Sequence, residues 1–217
     1  MFRFFRGLCE QNGRIDNPKT THSKGDSQGQ EQRIDISTKL AILPSDIFDN
    51  ACTLVREKSP EENSKKGKDF VDSANWERAL PYCLANSLQI GDSTAISSVG
   101  LCCAKIVMSA ARSGQINQRE EELLCAAVAF LTLFLDADGS DVAPSLSPDL
   151  FSVPYMLRGN MFLIRGQIHK DKRALEQAEQ DYQQALKIGC SHKSNMEIWR
   201  RSLRRVQHLL VDLSSRR

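Results

Sequence analysis

Apolar residues return along most of this chain at intervals of three and four, the period of a helix that buries one face. From Asp46 to about Lys58, the residues Ile47, Phe48, Ala51, Leu54 and Val55 share one side, and Ser45 stands where an N-cap would. A helix is also predicted from Asn75 to Ile90, closed by Gly91, with Pro81 early in it. Ser93 to Ser113 is a long helix rich in Ala95, Gly100, Ala104, Ala110 and Ala111, stopped by Gly114. Glycine inside a helix costs about 1 kcal/mol, so Gly100 predicts close approach by a neighbour. Asn117 and Glu120 have capping-box spacing in front of the apolar run Leu123 to Leu135. Fully buried, each large side chain of that run contributes about 1.5–3 kcal/mol. Ordering each residue costs roughly 1–2 kcal/mol, so this helix needs neighbours before and after it and belongs in the centre. From Arg173 to Ile188, Leu175, Ala178, Tyr182, Ala185 and Leu186 form one face between the cap Asp171 and Gly189. A last helix, Asn195 to Leu213, carries Trp199, Leu203, Val206, Leu210 and Leu213 at alternating steps of four and three.

Between these segments the pattern lapses. Asn17 to Gln32 holds no large apolar residue and is expected to be disordered, with order resuming near Ile34. Met1 to Gly13 reads as a tail or a docked strand, or else as an amphipathic start that seeks a membrane surface. Ser59 to Lys68 reads as a polar linker and Asp136 to Val153 as a long loop. The opening of that loop lacks the glycine at position six and the glutamate at position twelve that a calcium loop needs, with Asp141 and Ser147 there instead. The expected organisation is therefore a largely disordered region at 1–44, a short helix and linker at 45–68, and a helical domain at 69–217.

The spacing Ala178, Tyr182, Ala185, Leu186 resembles the second helix of a tetratricopeptide repeat. Arg158-Gly159-Asn160 and Phe162 resemble the first helix of the same repeat. Trp76 to Ile90 is similar to a degenerate second helix of an earlier unit. Between its halves the unit is longer than the family's unit of about 34 residues by about seven, close to two helical turns. Offsetting the sequence so that Gly114-Gln115-Ile116 meets Gly166-Gln167-Ile168 also places Ala126 on Ala178, Phe130 on Tyr182 and Phe134 on Leu186, so both copies share the extra length. The resemblance implies an all-α, tetratricopeptide-like solenoid of antiparallel helical hairpins, with the last helix as a cap. It further implies a groove lined by the first helices, with Arg158, Asn160 and Arg165 as candidate partner-binding residues. Asn160 matches a position where such repeats grip a peptide backbone. The lysine that would accompany it in a carboxylate clamp is replaced by Met156, so recognition of an acidic C-terminus is not implied.

Composition narrows the classes of function. Apolar residues make up 41% and charged residues 26% of the chain, and the net charge is only +2, so no global field recruits nucleic acid or membrane. The exception is local. Seven basic and two acidic residues from Lys193 onward give +5 and leave −3 for the rest. Arg200, Arg201, Arg204 and Arg205 cluster there as a candidate basic docking face. Seven cysteines without a CxxC pair suit a reducing, cytoplasmic setting. The run Leu123 to Leu135 is short against the roughly 20 residues that a bilayer requires, and Thr94 to Ala111 contains Lys105 and several serines. His22, His169, His192 and His208 are scattered, and no metal, phosphate-loop, dinucleotide or hydrolase motif is present. Neither a cofactor nor a metal is expected.

The leading expectation is a non-enzymatic adaptor or chaperone-like scaffold that holds a protein or peptide partner in the groove. A second reading is a helical regulatory protein whose basic last helix contacts nucleic acid or anionic lipid. A third is a small helical enzyme.

Overall fold

The computed structural model describes residues 37–91, 93–138, 149–190 and 193–215. Over these residues the chain is all-α, with no strand among them. A short turn, α1 (Ser37–Leu40), precedes α2 (Ser45–Glu57), α3 (Pro60–Asp72), α4 (Trp76–Ile90) and α5 (Ser93–Ser113). Then follow α6 (Gln118–Asp138), α7 (Asp149–His169), α8 (Lys172–Ile188) and α9 (Lys193–Ser215). The expected tail at Met1 to Gly13, the expected disordered stretch at Asn17 to Gln32 and most of the loop after α6 lie outside the described residues.

Local chemistry sets most helix ends. Asn117 Oδ1 accepts from the backbone N–H of Arg119 and Glu120 at 2.9 and 3.4 Å, and Glu120 Oε2 accepts from the Asn117 N–H at 3.1 Å. Asp171 Oδ1 accepts from the N–H groups of Arg173 and Ala174 at 3.0 and 3.2 Å. Gly91 and Gly114 follow α4 and α5 with φ of 72° and 69°, the left-handed region that favours glycine.

Four expectations need correction. Ser45 is the first residue of α2 rather than its cap; Pro44 holds that place and its carbonyl accepts from Ile47 and Phe48. Ser59 to Lys68 is not a linker but the front of α3. Ser59 Oγ accepts from the Glu62 N–H, Glu62 Oε2 accepts from the Ser59 N–H, and Pro60 opens the helix. Its buried positions are Asn63 and Gly67, which carry no apolar period. The 1–44 bound also falls too late: Leu40 and Leu43 are buried in the core, in keeping with the expected return of order near Ile34. Finally, α6 and α7 both extend into the expected Asp136 to Val153 loop, and Pro154 lies inside α7. Phe151 anchors that first turn, with its ring centroid 5.9 Å from that of Phe134.

Each helix from α3 onward packs on its successor, while α2 also packs on α4, α5 on α7 and α1 on α6. The larger apolar core runs from Leu40 to Met161. A smaller one joins Leu163 of α7, Leu175, Ala178 and Tyr182 of α8, and Val206 of α9. On α6, Leu123, Leu124, Phe130, Leu131, Phe134 and Leu135 are buried as expected, yet Cys125 is exposed. The segment Thr94–Ser113 in α5 is long and apolar enough to cross a membrane, with mean hydropathy 1.5; half of it is buried against other helices, among them α4, α6 and α7.

Small residues control how closely these helices meet. A Cβ on Gly100 would lie 2.9 Å from Leu131 Cγ and 3.2 Å from the Leu131 backbone nitrogen, so α5 and α6 touch there as its sequence position predicts. A Cβ on Gly166, inside α7, would lie 2.5 Å from Leu175 Cδ2. Gly114, its counterpart in the proposed internal repeat, instead ends a helix with nothing within 4 Å of a Cβ. The two glycines thus have different jobs, although Ala126 and Ala178, and Phe130 and Tyr182, which the same offset aligns, are all fully buried.

Filling the Gly100 contact with Gly100→Val is expected to destabilise the fold by about 2 kcal/mol through overpacking, lowering the melting midpoint by roughly 4–8 °C. Gly114→Asn, in open space and in a conformation asparagine tolerates, is expected to change stability by less than about 0.5 kcal/mol. Thermal melts followed by circular dichroism separate the two.

Candidate functional site

The face of α7 toward α8 brings most of the candidate residues together. Gly159 allows the approach: a Cβ there would sit 3.3 Å from both Asp181 Cβ and the Tyr182 ring. On one side of that glycine, Arg158 forms a two-pronged ion pair with Asp181, Nε to Oδ2 at 2.9 Å and Nη2 to Oδ1 at 2.7 Å. Its remaining nitrogen, Nη1, donates to Thr132 Oγ1 of α6 at 3.2 Å, and its guanidinium lies 5.5 Å from the centroid of the Tyr155 ring. The side chains of Arg158 and Asp181 are only 12% and 2% exposed. Burial opposes the charge on Arg158, but the bonds to Asp181 more than restore it and raise its pKa above the ordinary guanidinium value. Arg158 is therefore committed to the interior of the three-helix junction.

Across the glycine, Asn160 Oδ1 accepts from the Tyr182 hydroxyl at 2.6 Å. Its Nδ2 donates to the thioether sulfurs of Met156 at 2.9 Å and Met108 at 3.7 Å. Burial pushes the Tyr182 phenol up in pKa, against the lowering effects of the Ser202 hydroxyl and Arg205. Arg165 is elsewhere: it is exposed, with Nε 3.6 Å from Asp171 Oδ2 near the α7–α8 turn. Of the three groove candidates only Asn160 is half-buried with a weakly engaged donor.

The four arginines of α9 divide three to one. Arg200 Nη1, Arg201 Nε and Arg204 Nη2 lie 3.7, 3.6 and 3.3 Å from the single carboxylate of Glu197. In the amide orientation that satisfies its neighbours, Gln167 offers its oxygen to Arg205 Nη2 at 2.7 Å and Nε at 3.3 Å, tying that arginine back to α7.

Two further features bear on chemistry. A cleft of about 800 Å³ between the α3–α4 and α5–α6 turns is lined in part by Trp76, Glu77, Ile106, Ile116 and Glu120, none of them a candidate from the sequence. The thiols of Cys83 and Cys102 meet at 3.9 Å. The Cys102 thiol is pushed up in pKa by that contact and by burial, and burial does the same to Cys103, which makes both poor nucleophiles. Among the described residues no group of three or more histidine, cysteine or acidic side chains is arranged to hold a metal.

Sequence reasoning missed Asp181, although a signal was there. It falls between Ala178 and Ala185 on the apolar face of α8, where a carboxylate requires a buried cation. Met108 offered no such signal, because only folding carries α5 to Asn160.

No family model, curated protein or solved structure matches this chain.

Two measurements test the junction. Asp181→Ala leaves Arg158 buried without its partner and is expected to cost about 3–5 kcal/mol, whereas pairing Asp181→Leu with Arg158→Met recovers most of that loss; urea unfolding reads both. Because the folded pKa of Tyr182 is raised, its contribution is fully present below the unfolded value near 10 and is lost as pH rises above it. Tyr182→Phe is expected to cost about 1 kcal/mol at neutral pH and to flatten the alkaline decline in stability measured across that range.

Proposed function

We propose that this chain is a non-enzymatic adaptor that holds a peptide or helix of a protein partner against the α5–α7 face of a tetratricopeptide-like solenoid. In this reading α3–α4, α5–α6 and α7–α8 are successive antiparallel hairpins and α9 is the cap. The packing of α5 on α7, alongside the packing of each helix on its successor, supports that arrangement. The extra length relative to the family lies in continuous helix, since α7 runs unbroken to His169 and α8 begins at Lys172.

The observation that carries the proposal is the state of Asn160. Its oxygen is fixed by Tyr182, which orients the amide, while its nitrogen donates only to methionine sulfurs. Thioether sulfur is a weak acceptor, so a backbone carbonyl of a passing peptide is a better partner for that N–H. Met108, Met156 and Asn160 are each partly exposed, and flexible methionines adapt to the side chains of a partner. Arg158 has no part in contacting the partner; it braces the helix that presents Asn160. A cytoplasmic setting, with its reducing chemistry, fits the adjacent thiols of Cys83 and Cys102.

A photo-crosslinking amino acid at Met108 or Met156 tests the proposal. Cross-links to the same partner from both positions, lost when Asn160→Ala is added, are the expected result. Cross-links only from Lys66, on the exposed side of α3, would count against the groove.

A further inference from the structure

We infer that the outer face of α9 is a second docking surface, separate from the α5–α7 face, and that it takes an acidic amphipathic helix of a protein partner. Arg200, Arg201 and Arg204 converge on Glu197, and their side chains remain 55%, 72% and 63% exposed. One carboxylate cannot saturate three guanidinium groups, each of which offers several donors in a planar fork. Glu197 therefore occupies, from within the helix, a position that an external carboxylate would take with better geometry. The arrangement is a cradle with an internal competitor.

A phosphate polymer would satisfy the charge, but the surface carries more than charge. Val211 lies two helical turns beyond Arg204 on the same side of α9 and is 64% exposed. Asp212 follows it and bounds the basic stretch, so the cationic area covers about two helical turns rather than the whole helix. A short basic row ending in an apolar residue complements a helix whose carboxylates precede a large apolar side chain. A phosphodiester backbone has nothing to place on Val211. Arg205 is also exposed but turns away from this cluster, toward Gln167 of α7.

Anisotropy titrations on the full chain test this with three probes: a labelled helical peptide bearing glutamates on one face and leucines on the other, labelled oligothymidylate, and phosphatidylserine vesicles. Saturable peptide binding is expected to weaken about tenfold when Arg200, Arg201 and Arg204 are all changed to glutamine. Glu197→Gln, which removes the internal competitor, is expected to tighten it about threefold. Val211→Ser is expected to weaken the peptide and leave oligothymidylate unchanged. Peptide binding that ignores the arginine changes, or that weakens in Glu197→Gln, overturns the inference. So does tighter binding of oligothymidylate or vesicles than of the peptide, which would reassign the face to phosphate. Melts of each variant confirm folding, and the Glu197→Gln result stands even if the triple variant is lost.

Discussion

The pairing of Arg158 with Asp181 is the constraint around which the carboxyl-terminal half is built. It lies where α6, α7 and α8 meet. Each prong has a fixed destination: two to Asp181, one to Thr132, with Tyr155 beneath the guanidinium. A buried ion pair contributes little net stability against apolar residues of equal volume, because both ions surrender their hydration. Misplacing it is costly, however, since a shift in helix register leaves a bare charge inside. The pair thus favours one arrangement of three helices over neighbouring ones that bury a similar apolar area.

Close approach makes that pairing feasible. Gly159 allows Asp181 and Tyr182 to come against the α7 backbone, and Gly166 admits Leu175 nearer the turn. Gly100 and Leu131 do the same between α5 and α6. At the other end of the molecule polar side chains take over this role. Gln89 of α4 donates to the carbonyls of Val55 and Lys58, and Asn63 of α3 donates to Leu54 and to Gln89, so the open end of α2 is closed from two neighbouring helices.

The two surfaces proposed for partners differ in how they are held. Asn160 is oriented through its oxygen by Tyr182 of α8 while its nitrogen meets only weakly accepting sulfurs on α7 and α5, so its presentation depends on α5, α7 and α8 remaining packed. The arginines of α9 and their carboxylate all belong to a single helix. That surface needs only the helix to form, and helix formation depends on Trp199 and Val206 being buried beneath it.

What the sequence determined alone was local. Helix periods, the caps at Asn117 and Asp171, and the stops at Gly91 and Gly114 depend on residues within a turn or two, so they are legible one residue at a time. The helix of Pro60–Asp72 was missed because its buried positions are an asparagine and a glycine, which show no apolar period and matter only through what packs against them. The same reason divides the candidate residues. Arg158, Asn160 and Arg165 stand close together on one stretch of sequence, yet folding gives Arg158 a buried carboxylate, Asn160 two thioethers and a phenol, and leaves Arg165 exposed beside half-buried Asp171. Among the α9 arginines, only the position of α7 separates Arg205 from the other three. Which polar groups remain available to a partner was decided by the tertiary structure, because a charge is spent or free according to what lies within hydrogen-bond distance, and that distance spans residues far apart in the chain.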